Sequence, residues 1–190
     1  MTATVPAPGP SLTSHPWFFC GIGGSGMLPL ALILKGLGAD VAGSDRGRDQ
    51  GRTPEKFGWL ESLGLTLFPQ DGSGIARPDQ VLVASAAVED TVPEVVRAKA
   101  LGCARMSRAD LLATLFNATG TRIAVGGTSG KSTVTGMLGW ILTETGADPT
   151  IMNGAVMKNF RTPDAPFASA RVGGADLFVC EVDESDGSIA

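Results

Sequence analysis

The sequence predicts an α/β chain built from two successive parallel-sheet units, on three observations. Short β-rich runs alternate with helical stretches from His15 onward. The alternation restarts after a polar stretch at 117–121. Each unit opens on an apolar run that feeds a glycine-rich turn and then a helix. The expected division is a disordered tail over 1–14, a first sheet domain over 15–118 and the opening part of a second over 119–190.

The elements follow in order. Residues 17–20 form a first strand and 27–37 a helix, with Pro29 in its first turn, where a missing N–H is harmless, and Gly36 and Gly38 at its exit. A second strand covers 41–44. Thr53 and Pro54 open the next helix as N-cap and N1, and 65–68 is a strand. Residues 80–84 form a continuous apolar strand, 93–101 a helix and 108–116 the last helix of the first unit. In the second unit a strand at 122–125, a glycine turn and a helix over about 131–145 precede a loop-like stretch at 153–175 and a strand at 176–181. One helix between two strands leaves a sheet edge open, so the chain is expected to be the front piece of something longer.

Bulk properties narrow the classes. Fifteen basic against nineteen acidic residues give a net charge of -4, which offers no footprint for nucleic acid or an anionic membrane. The uncharged run 17–34 has the length of a membrane span, but four glycines and a proline interrupt it, and strand, turn and helix describe it better. The first fourteen residues have prolines at 6, 8 and 10 but no basic residue and no apolar core, so they are not a signal peptide. Cys20, Cys103 and Cys180 lack CxxC spacing and lie in or beside apolar runs, as buried reduced thiols do; a cytoplasmic location is expected. The single histidine, His15, excludes a Ser-His-Asp triad, a Cys-His pair and a histidine-rich zinc site.

Three constellations carry chemistry. Gly21, Gly23, Gly24, Ser25 and Gly26 lie in a GxGxxG turn between strand and helix, which makes the first unit Rossmann-like. Its glycines let backbone N–H groups approach a diphosphate at a helix N-terminus. Asp45, 19 positions after Gly26, stands where a dinucleotide enzyme holds a ribose hydroxyl, so this segment alone leaves a nicotinamide-dependent oxidoreductase open. The second constellation is Gly127, Thr128, Ser129, Gly130, Lys131 and Ser132, with Thr133 next. It is a P-loop in which Val125 occupies the first glycine position. Its amides would cradle phosphates, Lys131 would reach the outer ones and the Ser132 hydroxyl would hold Mg²⁺. The third is the apolar strand ending in Glu181, Asp183, Glu184 and Asp186, a carboxylate cluster that a cation bridging nucleotide phosphates would satisfy.

In order, GIGGSGM, GSD at 43–45, VLVASAAV at 81–88, SRADLL at 107–112, GGTSGKST at 126–133 and EVDESDGS at 181–188 resemble the Mur ligases from about Trp17 onward. The resemblance implies that the first unit binds UDP-N-acetylmuramic acid through Gly21, Gly23, Gly24, Ser25, Gly26, Ser44, Asp45 and Ser85. An incomplete P-loop ATPase domain would follow, with Lys131 as the catalytic residue on the phosphates of ATP and with Ser132 and Glu181 as Mg²⁺ ligands. The implied reaction phosphorylates the muramoyl carboxylate and lets an amino acid amine attack the acyl phosphate. DESDGS resembles the alanine-adding members, making L-alanine the expected amino acid, whereas the segment 153–160 resembles ligases that recycle murein tripeptide. The alanine ligases usually carry histidine where this chain has Ser129. The family's later histidine and asparagine motifs and its amino-acid-binding domain are absent from these residues, so the chain is expected to bind without turning over. A non-catalytic UDP-sugar or ATP-binding module is the other open reading.

Overall fold

The computed structural model describes residues 10–182. The first unit is a five-stranded sheet of order β3-β2-β1-β4-β5, formed by β1 (Trp17–Cys20), β2 (Val41–Ser44), β3 (Thr66–Phe68), β4 (Val81–Ala84) and β5 (Ala104–Ser107). All four pairings are parallel, with Cys20 opposite Ser44 and Phe19 opposite Val83. Such a sheet must be covered on both faces, and β1 and β4 are buried along their whole length. Trp17 and Phe19 face one core with α1 (Leu28–Gly36), α3 (Pro54–Ser62) and α5 (Arg108–Asn117). Phe18 and Cys20 face the other with Ile75 and α4 (Pro93–Leu101). The direction of strand order reverses between β1 and β4, and in open α/β sheets ligands bind at the carboxyl ends of strands beside such a point.

The second sheet has the order β6-β9-β7-β8, from β6 (Thr121–Val125), β7 (Thr150–Met152), β8 (Ala170–Arg171) and β9 (Leu177–Glu181). The strand β9 lies parallel between β6 and β7, and β8 runs antiparallel to β7. The helix α6 (Lys131–Glu144) packs on this sheet through Gly139, where an added Cβ would stand 2.7 Å from a methyl of Ile151.

One apolar cluster runs through both units, joining Leu111, Leu112 and Leu115 of α5 to Met152, Phe178 and Cys180. The rings of Phe116 and Phe178 meet edge-on at 6.0 Å. Trp59 of α3 donates from Nε1 to the Asp164 carbonyl at 2.8 Å and packs on Phe167 at 5.7 Å. At Gly36 an added Cβ would meet Val172 at 2.7 Å.

Several elements depart from expectation. The segment expected to be a tail closes, at Pro10–Thr13, into a 3-10 turn whose Leu12 carbonyl accepts from Trp17 Nε1 at 2.8 Å; residues 1–9 lie outside the described set. Thr53 occupies the N-cap of α3 without capping it: it sits at φ 44, ψ 56 and its side chain makes no capping bond. The proline that follows disfavours αR there. The expected two-strand second unit has four strands among the described residues, because β7 and the short β8 join it, and β5 and the one-turn α2 (Arg46–Asp49) join the first unit.

Candidate functional site

The glycine-rich turn leaves β1 at Gly21, whose φ of +78° suits glycine. The Ser44 carbonyl, at the end of the neighbouring β2, accepts from both Gly21 N at 2.8 Å and Ile22 N at 3.0 Å. Asp45 accepts from Gly23 N through Oδ2 at 2.8 Å and from Gly47 N through Oδ1 at 2.7 Å, and Lys56 Nζ donates to the Gly23 carbonyl at 2.8 Å. Gly23 is packed so tightly that a Cβ would meet both Asp45 and Phe57 at 2.9 Å. These bonds consume the first amides of the turn, while Ser25 N and Gly26 N have no partner among the described residues.

Two of the expected site residues are held by the chain itself. Asp45 spends one carboxylate oxygen on each of two backbone amides of its own loops and so shapes the turn. Ser44 is fully buried: its hydroxyl donates to Glu94 Oε1 at 2.7 Å, and its carbonyl holds the first amides of the turn. Glu94, from the first turn of α4, is itself fully buried, and its second oxygen has no partner. An unsatisfied buried oxygen of this kind costs about 1–3 kcal/mol. Burial, with the Glu94 carboxylate adding to it, pushes the neighbouring Cys20 thiol up to about 11.

The P-loop joins β6 to α6. Gly127 and Gly130 take φ values of +138° and +80°. Lys131 folds back to donate from Nζ to the Gly127 carbonyl at 2.8 Å, closing the loop on itself. The Ser132 hydroxyl donates to Glu181 Oε2 at 2.6 Å, so the expected partners, 49 residues apart, meet. Glu181 lies against Gly154, where its carboxylate occupies the space a Cβ would need. Asn153, buried, donates from Nδ2 to the Ser132 carbonyl at 2.9 Å and fixes the first turn of α6.

The glycine turn and the strand-end Glu181 open onto one cleft of about 400 Å³, which no residue of the P-loop lines. Gly21, Gly24, Ser25, Gly26 and Ser85 line it from the first unit, Arg108 from the start of α5, and Gly154 and Glu181 from the second. A second cleft of about 440 Å³ adjoins the P-loop helix, with Ser132, Thr133, Trp140, Asn153, Lys158 and Phe160 in its wall. Arg108, Glu94, Asn153 and Gly154 are the participants that sequence reasoning missed. SRADLL contained Arg108, but only the fold brings its guanidinium within 2.6 Å of where a Gly26 Cβ would stand.

A hydroxyl and a carboxylate at hydrogen-bond distance are hard oxygen donors of the kind Mg²⁺ takes, and Mg²⁺ commonly uses one or two carboxylates and completes its shell with phosphate and water. The donor set therefore fits the ion. Among the described residues no group of three or more His, Cys, Asp or Glu converges, and Asp183, Glu184 and Asp186 lie outside that set. No helix among the described residues is long and apolar enough to cross a membrane.

A parallel sheet whose glycine turn shares a cleft with the strand-end carboxylate of a second α/β unit defines an open α/β protein with its candidate site at the carboxyl ends of its strands. The comparisons narrow that class. The family described as "Mur ligase family, catalytic domain" matches residues 18–119. UDP-N-acetylmuramate--L-alanine ligase of Synechococcus sp. (strain JA-2-3B'a(2-13)) is 42% identical over 173 residues, which are 91% of this chain and 34% of that protein. Its counterpart in Desulfotalea psychrophila is 37% identical over 92% of this chain and 36% of its own. Among solved structures, UDP-N-acetylmuramate-alanine ligase of Thermotoga maritima superposes with a TM-score of 0.78 at 31% identity, over 90% of this chain and 37% of that one. UDP-N-acetylmuramate:L-alanyl-gamma-D-glutamyl-meso-diaminopimelate ligase of Neisseria meningitides gives a TM-score of 0.75 at 28% identity, over 90% and 53%. The chain belongs to the Mur ligase family, and it spans about a third of the length of the curated relatives it matches.

Proposed function

We propose that this chain is the substrate-gathering part of an ATP-dependent ligase that joins L-alanine to UDP-N-acetylmuramic acid in the cytoplasm, a step of peptidoglycan synthesis. The observation that carries the reading is the shared cleft, in which the glycine turn of the first unit faces Glu181 of the second. In this reading the Ser25 and Gly26 amides hold the diphosphate of the UDP-sugar at the N-terminus of α1, with Ser85 beside them. The P-loop amides and Lys131 hold the phosphates of ATP. Lys131 then exchanges its bond to the Gly127 carbonyl for one to phosphate. Ser132 and Glu181 would hold Mg²⁺, which would supply neutralisation of the charge developing on the transferring phosphoryl group. The muramoyl carboxylate accepts that group as an acyl phosphate, and the alanine amine displaces phosphate to form the amide. The chain's own part is positioning and electrostatic preorganisation, where most catalysis of phosphoryl transfer originates.

A second reading, a ligase that recycles a murein peptide, is supported by the likeness to the Neisseria meningitides enzyme and by Lys158, Asn159 and Phe160 in the wall of the second cleft. Titration calorimetry with UDP-N-acetylmuramic acid tests the substrate class. Saturable binding, with none to NADH, is the expected result, and binding of NADH without the UDP-sugar would overturn it.

A further inference from the structure

We infer that Glu94 is a positioning residue for the UDP-sugar site, acting through Ser44 on the glycine-rich turn. The inference rests on the reading of that turn as the diphosphate cradle. Glu94 comes from the helix that follows β4, Ser44 from the end of β2, and β1 lies between those two strands. The 2.7 Å bond from Ser44 Oγ to Glu94 Oε1 therefore straps together the two sides of β1 where the sheet changes direction, between residues 50 apart in sequence. Ser44 passes the constraint on, since its carbonyl accepts from Gly21 N and Ile22 N, the first two amides of the turn. Glu94, Ser44 and Ile22 are each 0% exposed, and the relay reaches the cleft at Gly21, which is part-exposed and lines it. Neither side chain lines the cleft, so Glu94 touches no ligand and its influence is confined to the shape of the turn.

A carboxylate with one oxygen orphaned is a poor choice for stability alone, because an apolar pair in place of Glu94 and Ser44 would leave neither a buried carboxylate oxygen nor a buried hydroxyl to satisfy. What the carboxylate adds is a strong, short acceptor for a hydroxyl that fixes one strand end. The Ser44 carbonyl then holds the start of a turn in which Ser25 and Gly26 line the cleft and their N–H groups are not recruited by the described chain.

Three substitutions in the 190-residue chain test this. Ser44→Ala and Glu94→Ala remove the strap, and Glu94→Gln keeps an oxygen that accepts from Ser44. Two readouts are taken: amide hydrogen exchange at Gly21 and Ile22, which needs no ligand, and affinity for UDP-N-acetylmuramic acid by calorimetry. The two alanine variants should exchange at least tenfold faster at Gly21 and Ile22, with β6 and β9 amides unchanged, and bind at least tenfold more weakly. Glu94→Gln should stay within about threefold of the parent in both, a rescue that a general packing defect would not show. If Glu94→Ala fails to fold, Ser44→Ala, the smaller change, decides. Parental exchange at Gly21 and Ile22 in Ser44→Ala, or a Glu94→Gln as impaired as Glu94→Ala, overturns the inference. If the parent chain does not bind the UDP-sugar, the substrate reading fails, and the exchange rates alone still decide the strap.

Discussion

Replacing Gly154 by alanine separates what the Ser132–Glu181 pair does for the fold from what it does for nucleotide. Gly154 has no left-handed φ, so its backbone accepts alanine, but the Glu181 carboxylate fills the space of the new methyl. That carboxylate is the far end of a flexible side chain and can swing aside, at the cost of the 2.6 Å bond from Ser132. A hydrogen bond to a charged group contributes about 1.5–3 kcal/mol, and the stiffer unfolded chain of a glycine-to-alanine change returns about 0.4–1 kcal/mol. The net loss is about 0.5–2.6 kcal/mol, or roughly 1–10 °C in melting temperature for a chain of this size. Ligand sensitivity changes more. Mg²⁺ with ATP at a hundredfold over its dissociation constant stabilises by about 2.7 kcal/mol, a rise of roughly 5–11 °C. With Glu181 displaced, Gly154→Ala should lose most of the Mg²⁺-dependent part of that rise. Differential scanning fluorimetry with ATP, with and without Mg²⁺, measures both. A Gly154→Ala chain that melts a few degrees lower yet keeps the parental Mg²⁺·ATP shift would refute the assignment of Glu181 as the ion's ligand.

Two further outcomes follow from features away from the cleft. Trp59→Ala removes the bond to the Asp164 carbonyl and the ring contact with Phe167; it should cost about 2 kcal/mol in urea unfolding and speed amide exchange across 162–172, and unchanged exchange there would contradict the contact. Burial lifts the thiols of Cys20 and Cys180 from an ordinary value of 9.0 to about 11 and about 12. The folded chain thus holds their protons more tightly than the unfolded one. Their contribution is fully present below about pH 9 and is lost as pH rises through 11 and 12. A Cys20→Ala, Cys180→Ala chain should therefore lose less urea resistance between pH 8 and pH 11 than the parent, and equal losses would contradict it.

The sequence was most legible where one residue pattern admits one structure. Trp17–Cys20, Val41–Ser44 and Pro93–Leu101 lie where they were expected, the strands because short apolar runs bounded by turn residues suit buried parallel strands, the helix because Pro93 fits only its first turn. The strands β5, β7 and β8 were illegible. Ala104–Ser107 carries a charge and buries only Met106, while β7 and β8 have three and two residues, too few for a period to show. The site divides the same way. A P-loop and a strand-end carboxylate are local signals, and their meeting at Ser132 and Glu181 followed from chemistry. Glu94 looks, in sequence, like any acidic residue in a helix's first turn, a place the helix dipole favours. Its burial and its bond to Ser44 exist only once β2 and α4 are brought to the two sides of β1. For Ser44 and Asp45 the position at a strand end was visible in the sequence and the intrachain partners were not.

The apolar cluster that runs through both sheets bears on how the protein is made. α1 is finished at Gly36, but Val172, which covers it there, is synthesised much later, as are Phe178 and the Trp59 partner Phe167. At ordinary translation speeds that interval is on the order of ten seconds, far longer than a small domain needs to collapse. The nascent first unit thus waits on the ribosome with one flank of α1 and α5 bare. Holdase chaperones that recognise exposed apolar surface should meet the chain in that interval and leave it once β8 and β9 arrive.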